Sequence, residues 1–191
     1  MLMNRFSRDA LQAMPWKNGG GVTQEVVCWP EGAGMDTFDW RISIARIASD
    51  GPFSAFPGVD RVITLLDGAG VRLLSSEGGF DHSLDVPLQP FAFAGDVPVE
   101  ARLLAGTCSD FNVMTRRNSC RSAVTVCRES LVLETCPAGL LMAVQGRWLA
   151  NGQILSPGQG LWWESGGHSW SLESADNGAA LLAVTIDKVR S

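Results

Sequence analysis

The sequence predicts an all-β protein made of two small jelly-roll barrels packed as one unit, and three observations carry that expectation. Its 191 residues include 21 Gly and 9 Pro, so turn signals recur too closely for more than a short helix to fit between them. The segments between the turns are brief and often alternate, which is the two-residue period of a strand with one buried face. A weak echo between the halves of the chain supplies the third. With 46% hydrophobic residues, a chain of this length buries roughly 70% of its unfolded surface.

The elements follow in order. Phe6 to Met14 alone has a helical pattern, readable also as an ordered N-terminal arm. Strands are expected over residues 24–28, 40–45, 61–66, 71–74, 91–94, 99–104 and 110–114, with Gly or Pro turns such as Gly51-Pro52, Pro57-Gly58 and Gly95-Asp96 between them. In the strand at 40–45, Trp40, Ile42 and Ile44 share one face, and Arg41 and Ser43 the other. The same texture continues at residues 123–127, 130–134, 140–144, 160–163, 169–172 and 180–185. Many short strands with such turns specify a sandwich, barrel or jelly roll.

Leu65-Leu66-Asp67-Gly68, followed later by the Pro90 to Asp96 stretch, is echoed by Val144-Gln145-Gly146, Pro157-Gly158 and Trp162-Trp163. Strand, glycine turn, strand and Pro-Gly turn is the repeat of a cupin, a double-stranded β-helix. The expected organisation is a bicupin, with one barrel over residues 1–118 holding the ligand pocket and a smaller one over 119–191.

Composition excludes several functions. A net charge of −5 and a pI near 5.0 oppose a phosphate backbone or an anionic membrane surface, so no nucleic acid and no membrane is expected as a partner. No apolar run approaches the roughly 18 residues of a membrane helix, and Asp9, Gln12 and Pro15 interrupt any leader-like stretch, so a cytoplasmic location is the default. The five cysteines form no CxxC pair and are read as small buried apolar residues. The usual cupin metal site takes two or three His and a carboxylate on neighbouring strands, whereas the two histidines here, His82 and His168, lie on opposite halves with no His-X-His. His82 is read as a solvated loop residue and His168 as a turn residue near Trp170. No metal or other cofactor is expected, and no GxSxG or P-loop pattern occurs.

Four blocks carry a resemblance: PWKNGGGVTQE at 15–25, WRISIARIASDGPFSAFPGVDRVITLLDG at 40–68, LQPFAFAGD at 88–96 and DFNVMTRR at 110–117. In order and spacing they resemble the signature blocks of the HutD/Ves family. The resemblance implies a bicupin fold and, in the HutD branch, an association with bacterial histidine utilisation. It implies no established enzymatic activity.

The residues of those blocks point to a site for a small carboxylate. Lys17 and Asn18 precede glycines at 19–21, where a turn lets backbone N–H groups converge on an anion, so Lys17, Asn18 and Gly19 are candidates. Arg41 and Ser43 face the barrel mouth if Trp40, Ile42 and Ile44 face a core. Arg61 opens the strand after the Phe56-Pro57-Gly58 turn, and a guanidinium matches a carboxylate. The alternative for either arginine is a surface position or an ordinary ion pair with Asp39, Asp60 or Glu25. Asn112 and Met114 line either a core or the cavity. Arg116 and Arg117 end that strand, with Arg116 the candidate to reach the ligand. Phe53, Phe56, Phe91 and Phe93 suit core or wall, and Glu25 could orient Lys17 or Arg61.

Two functions follow from this set. One is a non-catalytic, metal-free binding protein for a histidine-degradation intermediate such as urocanate, formylglutamate or formate, acting as a sensor. The other is a metal-independent isomerase of a sugar or small acid, with Glu25 or an Asp as base, though no convincing acid–base pair is visible. A purely structural protein would have its barrel mouth filled by side chains. The sequence leaves a homodimer open.

Overall fold

The computed structural model describes residues 3–189, and almost all of its regular structure is strand. Contacts divide the chain into two compact units. One is Gln12–Cys120; the other joins the segment ending at Leu11 to the chain from Arg121 onward. The expected boundary placed residues 1–118 in the first barrel, whereas the segment before Gln12 groups with the second.

Of the two readings of the segment from Phe6 to Met14, a helix or an ordered arm, the structure has the extended arm. It holds strand β1 (Asn4–Ser7), a three-residue 3-10 turn (Arg8–Ala10) and strand β2 (Ala13–Pro15). β1 pairs antiparallel with residues 159–162, Phe6 opposite Gly160. Nine residues are too few for a helix to hold without packing, and this distant partner decides the conformation. Gly160 fits because a Cβ there would fall on the Leu141 carbonyl and the Phe6 ring.

The first unit continues with β3 (Gly21–Trp29), β4 (Trp40–Ile47), β5 (Gly51–Phe53), β6 (Val59–Asp67), β7 (Val71–Ser75), β8 (Phe80–Leu84), β9 (Pro90–Ala94), β10 (Val99–Leu103) and β11 (Cys108–Arg116). A six-stranded sheet runs β2-β3-β4-β11-β6-β9, and a four-stranded sheet runs β5-β10-β7-β8. The ladders of both sheets are antiparallel, as expected of a jelly roll. Ile47, Ile63, Leu65 and Cys108 from the first sheet pack with Val71, Leu73, Leu84, Val99 and Ala101 from the second. His82 lies in β8 rather than a loop, half-buried, and its ring stacks on Phe91 at 3.8 Å and 7°.

The second unit adds β12 (Cys120–Cys127), β13 (Leu131–Cys136), β14 (Ala138–Gln145), β15 (Trp148–Ala150), β16 (Gln153–Leu155), β17 (Gln159–Trp163), β18 (His168–Ser174) and β19 (Ala180–Lys188). Its sheets run β1-β17-β14-β19-β12 and β13-β18-β15-β16. Trp148, Trp163 and Trp170 are fully buried in its core, with the Trp163 and Trp170 rings 5.1 Å apart. His168 begins β18, not a turn, and its side chain lies outside the described residues. Among the described residues no helix is long and apolar enough to cross a membrane.

Candidate functional site

A cavity of about 530 Å³ opens in the first unit, a size suited to a small ligand. Its floor is a ladder of three strands. Cys108, Asp110, Asn112 and Met114 share one face of β11. Met114 stands between Arg41 of β4 and Arg61 of β6, Asn112 between Ser43 and Ile63, and Asp110 between Ala45 and Leu65. The same face therefore turns from apolar core at Ile47, Leu65 and Cys108 to polar cavity at Arg41, Ser43 and Arg61. The six-stranded sheet keeps both sides of β4 from water, since Trp40, Ile42 and Ile44 opposite are buried too.

Arg41 is 6% exposed and held in place. Its Nε donates to Glu25 Oε2 at 2.7 Å, and Nη1 to Ser43 Oγ at 3.3 Å. Glu25 reaches it because the β3–β4 register shifts between Glu25 and Val27. Such a bulge re-aims side chains: Val27 pairs with Ile42, while Glu25 stands beside Ser43 on the cavity side. Glu25 thus orients Arg41 rather than Lys17 or Arg61.

Arg61 is equally buried, but among the described residues no carboxylate forms an ion pair with it. Its guanidinium carbon lies 5.3, 5.7 and 5.1 Å from the ring centres of Phe53, Phe56 and Phe93, within cation–π range. Its buried Nε has no hydrogen-bond partner. Burial lowers its pKa to about 10, against a counter-pull from Asp110 and with a further push from Arg41. Gly95 shapes this cage. Its N–H donates to the Val59 carbonyl and its own carbonyl accepts from Phe56 N–H, and a Cβ there would lie 2.8 Å from the Val59 oxygen and 3.2 Å from the Phe56 oxygen. The glycine of the Pro90 to Asp96 block lets the Phe56 turn close over Arg61.

Asp110 is 2% exposed, and its Oδ2 has no partner. Its neighbours in register, Ala45 and Leu65, carry nothing that could donate to it. Burial raises its pKa to about 7, with Arg61 pulling the other way. Asn112 Oδ1 is also buried and unpartnered. Two acceptors and a guanidinium N–H thus line one cavity with unmet hydrogen bonds, which in a native interior calls for an explanation such as a ligand or water.

Lys17 and Asn18 line the cavity from the β2–β3 turn. The expected nest of N–H groups is absent there. Gly19 N–H donates to the Trp16 carbonyl and Gly20 N–H to Asn18 Oδ1 at 3.0 Å, so both are spent inside the turn. Gly19 is not part of the lining, and its φ of 71° shows that its role is to make the turn. The turn in turn positions Trp16, whose Nε1 donates to Thr23 Oγ1 and whose ring meets Phe53 edge-on.

Arg116 also lies outside the cavity. Its Nε and Nη2 donate to the Phe38 and Asp36 carbonyls, and it sits over the Phe38 ring. Arg117 clasps Asp60 and Asp96, each at 2.7 Å. The paired arginines of the 110–117 block fasten loops together rather than face the ligand space. Asp110 is the residue that sequence reasoning passed over, although its spacing of two and four from Asn112 and Met114 placed it on their face.

A cupin fold raises the question of a metal, and the donor set does not fit one. Among the described residues no group of three or more His, Cys, Asp or Glu converges. In the cavity, a lone carboxyl from Asp110 sits among Arg41, Arg61 and Lys17, a lining that repels cations. His82 is elsewhere, against Phe91.

Two antiparallel jelly-roll units of this topology define a cupin-fold protein. The fold likeness extends to a mutant of Bacillus subtilis oxalate decarboxylase, at a TM-score of 0.62 and 10% identity over 98% of this chain and 78% of that one. The chain belongs to the HutD family, whose model matches residues 8–182. It is similar to Protein Ves of Cronobacter sakazakii, 43% identical over 184 residues, covering 96% of this chain and 99% of the relative. Its structure is similar to that of HutD from Pseudomonas fluorescens SBW25 in a formate condition, with a TM-score of 0.86, 31% identity and coverage of 99% and 100%.

Proposed function

We propose that the protein binds a small carboxylate in the cavity of the first unit and acts as a cytoplasmic, non-catalytic sensor of histidine breakdown. The observation that carries this reading is Arg61: a buried guanidinium, caged by three phenylalanines, with an unpaired N–H and no carboxylate of its own. An isolated buried charge is costly, and an anion of matching size offsets the cost. Arg41, fixed by Glu25, and Lys17 at the exposed rim add to the attraction. A planar fork favours a carboxylate over a rounder anion. The histidine link rests on membership of the HutD family, and the formate condition of the P. fluorescens structure supplies the smallest ligand to try first.

The test is calorimetric titration of the wild type, Arg61→Ala and Lys17→Ala with formate, urocanate, formylglutamate and a neutral sugar. Carboxylates should bind, and Arg61→Ala should weaken them by about 2 to 5 kcal/mol, the cost of truncating one partner of a buried charged pair. Tight sugar binding that ignores both substitutions, with no carboxylate binding, rejects the proposal in favour of a metal-independent enzyme.

A further inference from the structure

The cavity contains an acidic group where an anion is to be received, and the two must be reconciled. Asp110 lies in the cavity floor, 98% buried by its 2% exposure, with Oδ2 unpartnered and apolar neighbours on both flanking strands. The charged and titratable groups around it are few. Arg61 faces it from β6 and acts on it electrostatically. Arg41 lines the same cavity from β4 but is bound to Glu25 of β3. Lys17 stands at the rim. On its own strand lies Cys108, a thiol that burial, then Asp110 and Asp67 of β6, push up to about 11 and so keep neutral.

If Asp110 is ionised, its charge cancels that of Arg61, and an entering carboxylate places a second negative charge in the same enclosed space. Two such groups sharing one site do not both stay ionised. If Asp110 is protonated, Arg61 is free to attract the anion, and the Asp110 O–H becomes a donor beside it in place of an unpartnered acceptor. Accordingly, we propose that carboxylate binding is coupled to uptake of one proton, held by Asp110, so that the cavity takes up the equivalent of a neutral carboxylic acid. Asp110 then donates to one carboxylate oxygen while the Arg61 guanidinium receives the other. The position of its titration in the empty protein, near neutrality because of burial, makes this coupling fall within the physiological range. The inference rests on the carboxylate-binding reading above and adds to it the group that sets its pH dependence.

The experiment is formate titration of the full chain by calorimetry at pH 6, 7 and 8, in phosphate and in Tris at pH 8. Formate itself stays ionised throughout. With Asp110 titrating near 7, affinity should fall roughly tenfold between pH 6 and pH 8, and the two buffers should reveal close to one proton taken up per formate at pH 8. Asp110→Asn, which keeps the shape and a donor but cannot titrate, should bind with little pH dependence and take up no proton. Because proton uptake is read on the wild type, a variant that misfolds does not spoil the test. Formate binding with no proton uptake and a flat pH profile in the wild type overturns the coupling while leaving the carboxylate reading intact. No carboxylate binding at any pH overturns both.

Discussion

Replacing Arg61 by Met should make the empty protein more stable and at the same time abolish carboxylate binding. The Arg61 guanidinium is 6% exposed, and burial is the leading cause of a pKa lowered from 12.5 to about 10. A base whose pKa is depressed in the folded state is disfavoured in its charged form at every pH below that value. A shift of this size corresponds to about 3 kcal/mol against folding, since one unit is worth 1.36 kcal/mol. Methionine removes that cost, fills a comparable path and keeps favourable contacts between its sulfur and the rings of Phe53, Phe56 and Phe93. It forfeits cation–π attraction of about 0.5 to 2 kcal/mol. It also deprives Asp110 of its counter-charge, a loss minimised below pH 7, where Asp110 is protonated. The expected net gain at pH 6 is about 1 to 3 kcal/mol, in line with the replacement of buried ions by apolar groups. Urea unfolding followed by far-ultraviolet circular dichroism, paired with formate titration, measures both effects. Loss of more than about 1 kcal/mol at pH 6 with the unfolding slope unchanged would mean that Arg61 is stabilised by its surroundings, and the reasoning for an ion awaiting its partner would fail.

Asp110→Asn should alter how stability depends on pH. Its folded pKa, about 7, lies above the ordinary 3.8, so the folded protein binds the proton more tightly; the associated stability is complete below the unfolded value and is lost as pH rises to about 7. Wild type should therefore lose up to about 4 kcal/mol relative to Asp110→Asn between pH 4 and pH 8, and parallel urea curves would refute the assignment. Gly160→Ala drives a Cβ into the Leu141 carbonyl and the Phe6 ring and should destabilise the second unit by at least about 2 kcal/mol. Its formate affinity should stay within twofold of wild type, a result checked by calorimetry.

The alternation in Trp40 to Ala45 was enough to place Arg41 and Ser43 opposite Trp40, Ile42 and Ile44, because strand side chains obey a fixed two-residue period. The long strands were legible for the same reason. β15 and β16, three residues each, were not, since so short a run shows no period. Over the nine residues Phe6 to Met14 a helical and an extended pattern coincide, and the arm prevails because its partner lies at 159–162. Lys17, Asn18, Arg41, Ser43, Arg61, Asn112 and Met114, singled out by residue type and face, all line the cavity. Gly19 lies outside that lining, its N–H spent on a hydrogen bond inside the turn that is invisible in sequence. Arg116 lies outside it too, held by carbonyl acceptors that leave no trace in residue type. Asp110 had the right spacing but the wrong charge for an anion site, and only its burial shows how the two are compatible.

The pairing of Arg5 with Leu161 sets an order of events on the ribosome. Residues 12–120 contain everything their two sheets need and can close as soon as they emerge. In the other unit, the outer strand of the five-stranded sheet is made first but finds β17 only after most of the chain has been synthesised. Sequence-distant pairings of this kind are slow to form, so β1 waits as an unpaired strand while the unit that holds the cavity is already folded. A tag or truncation at the start of the chain should consequently leave formate binding intact and show itself as slower completion and lower melting of the C-terminal unit.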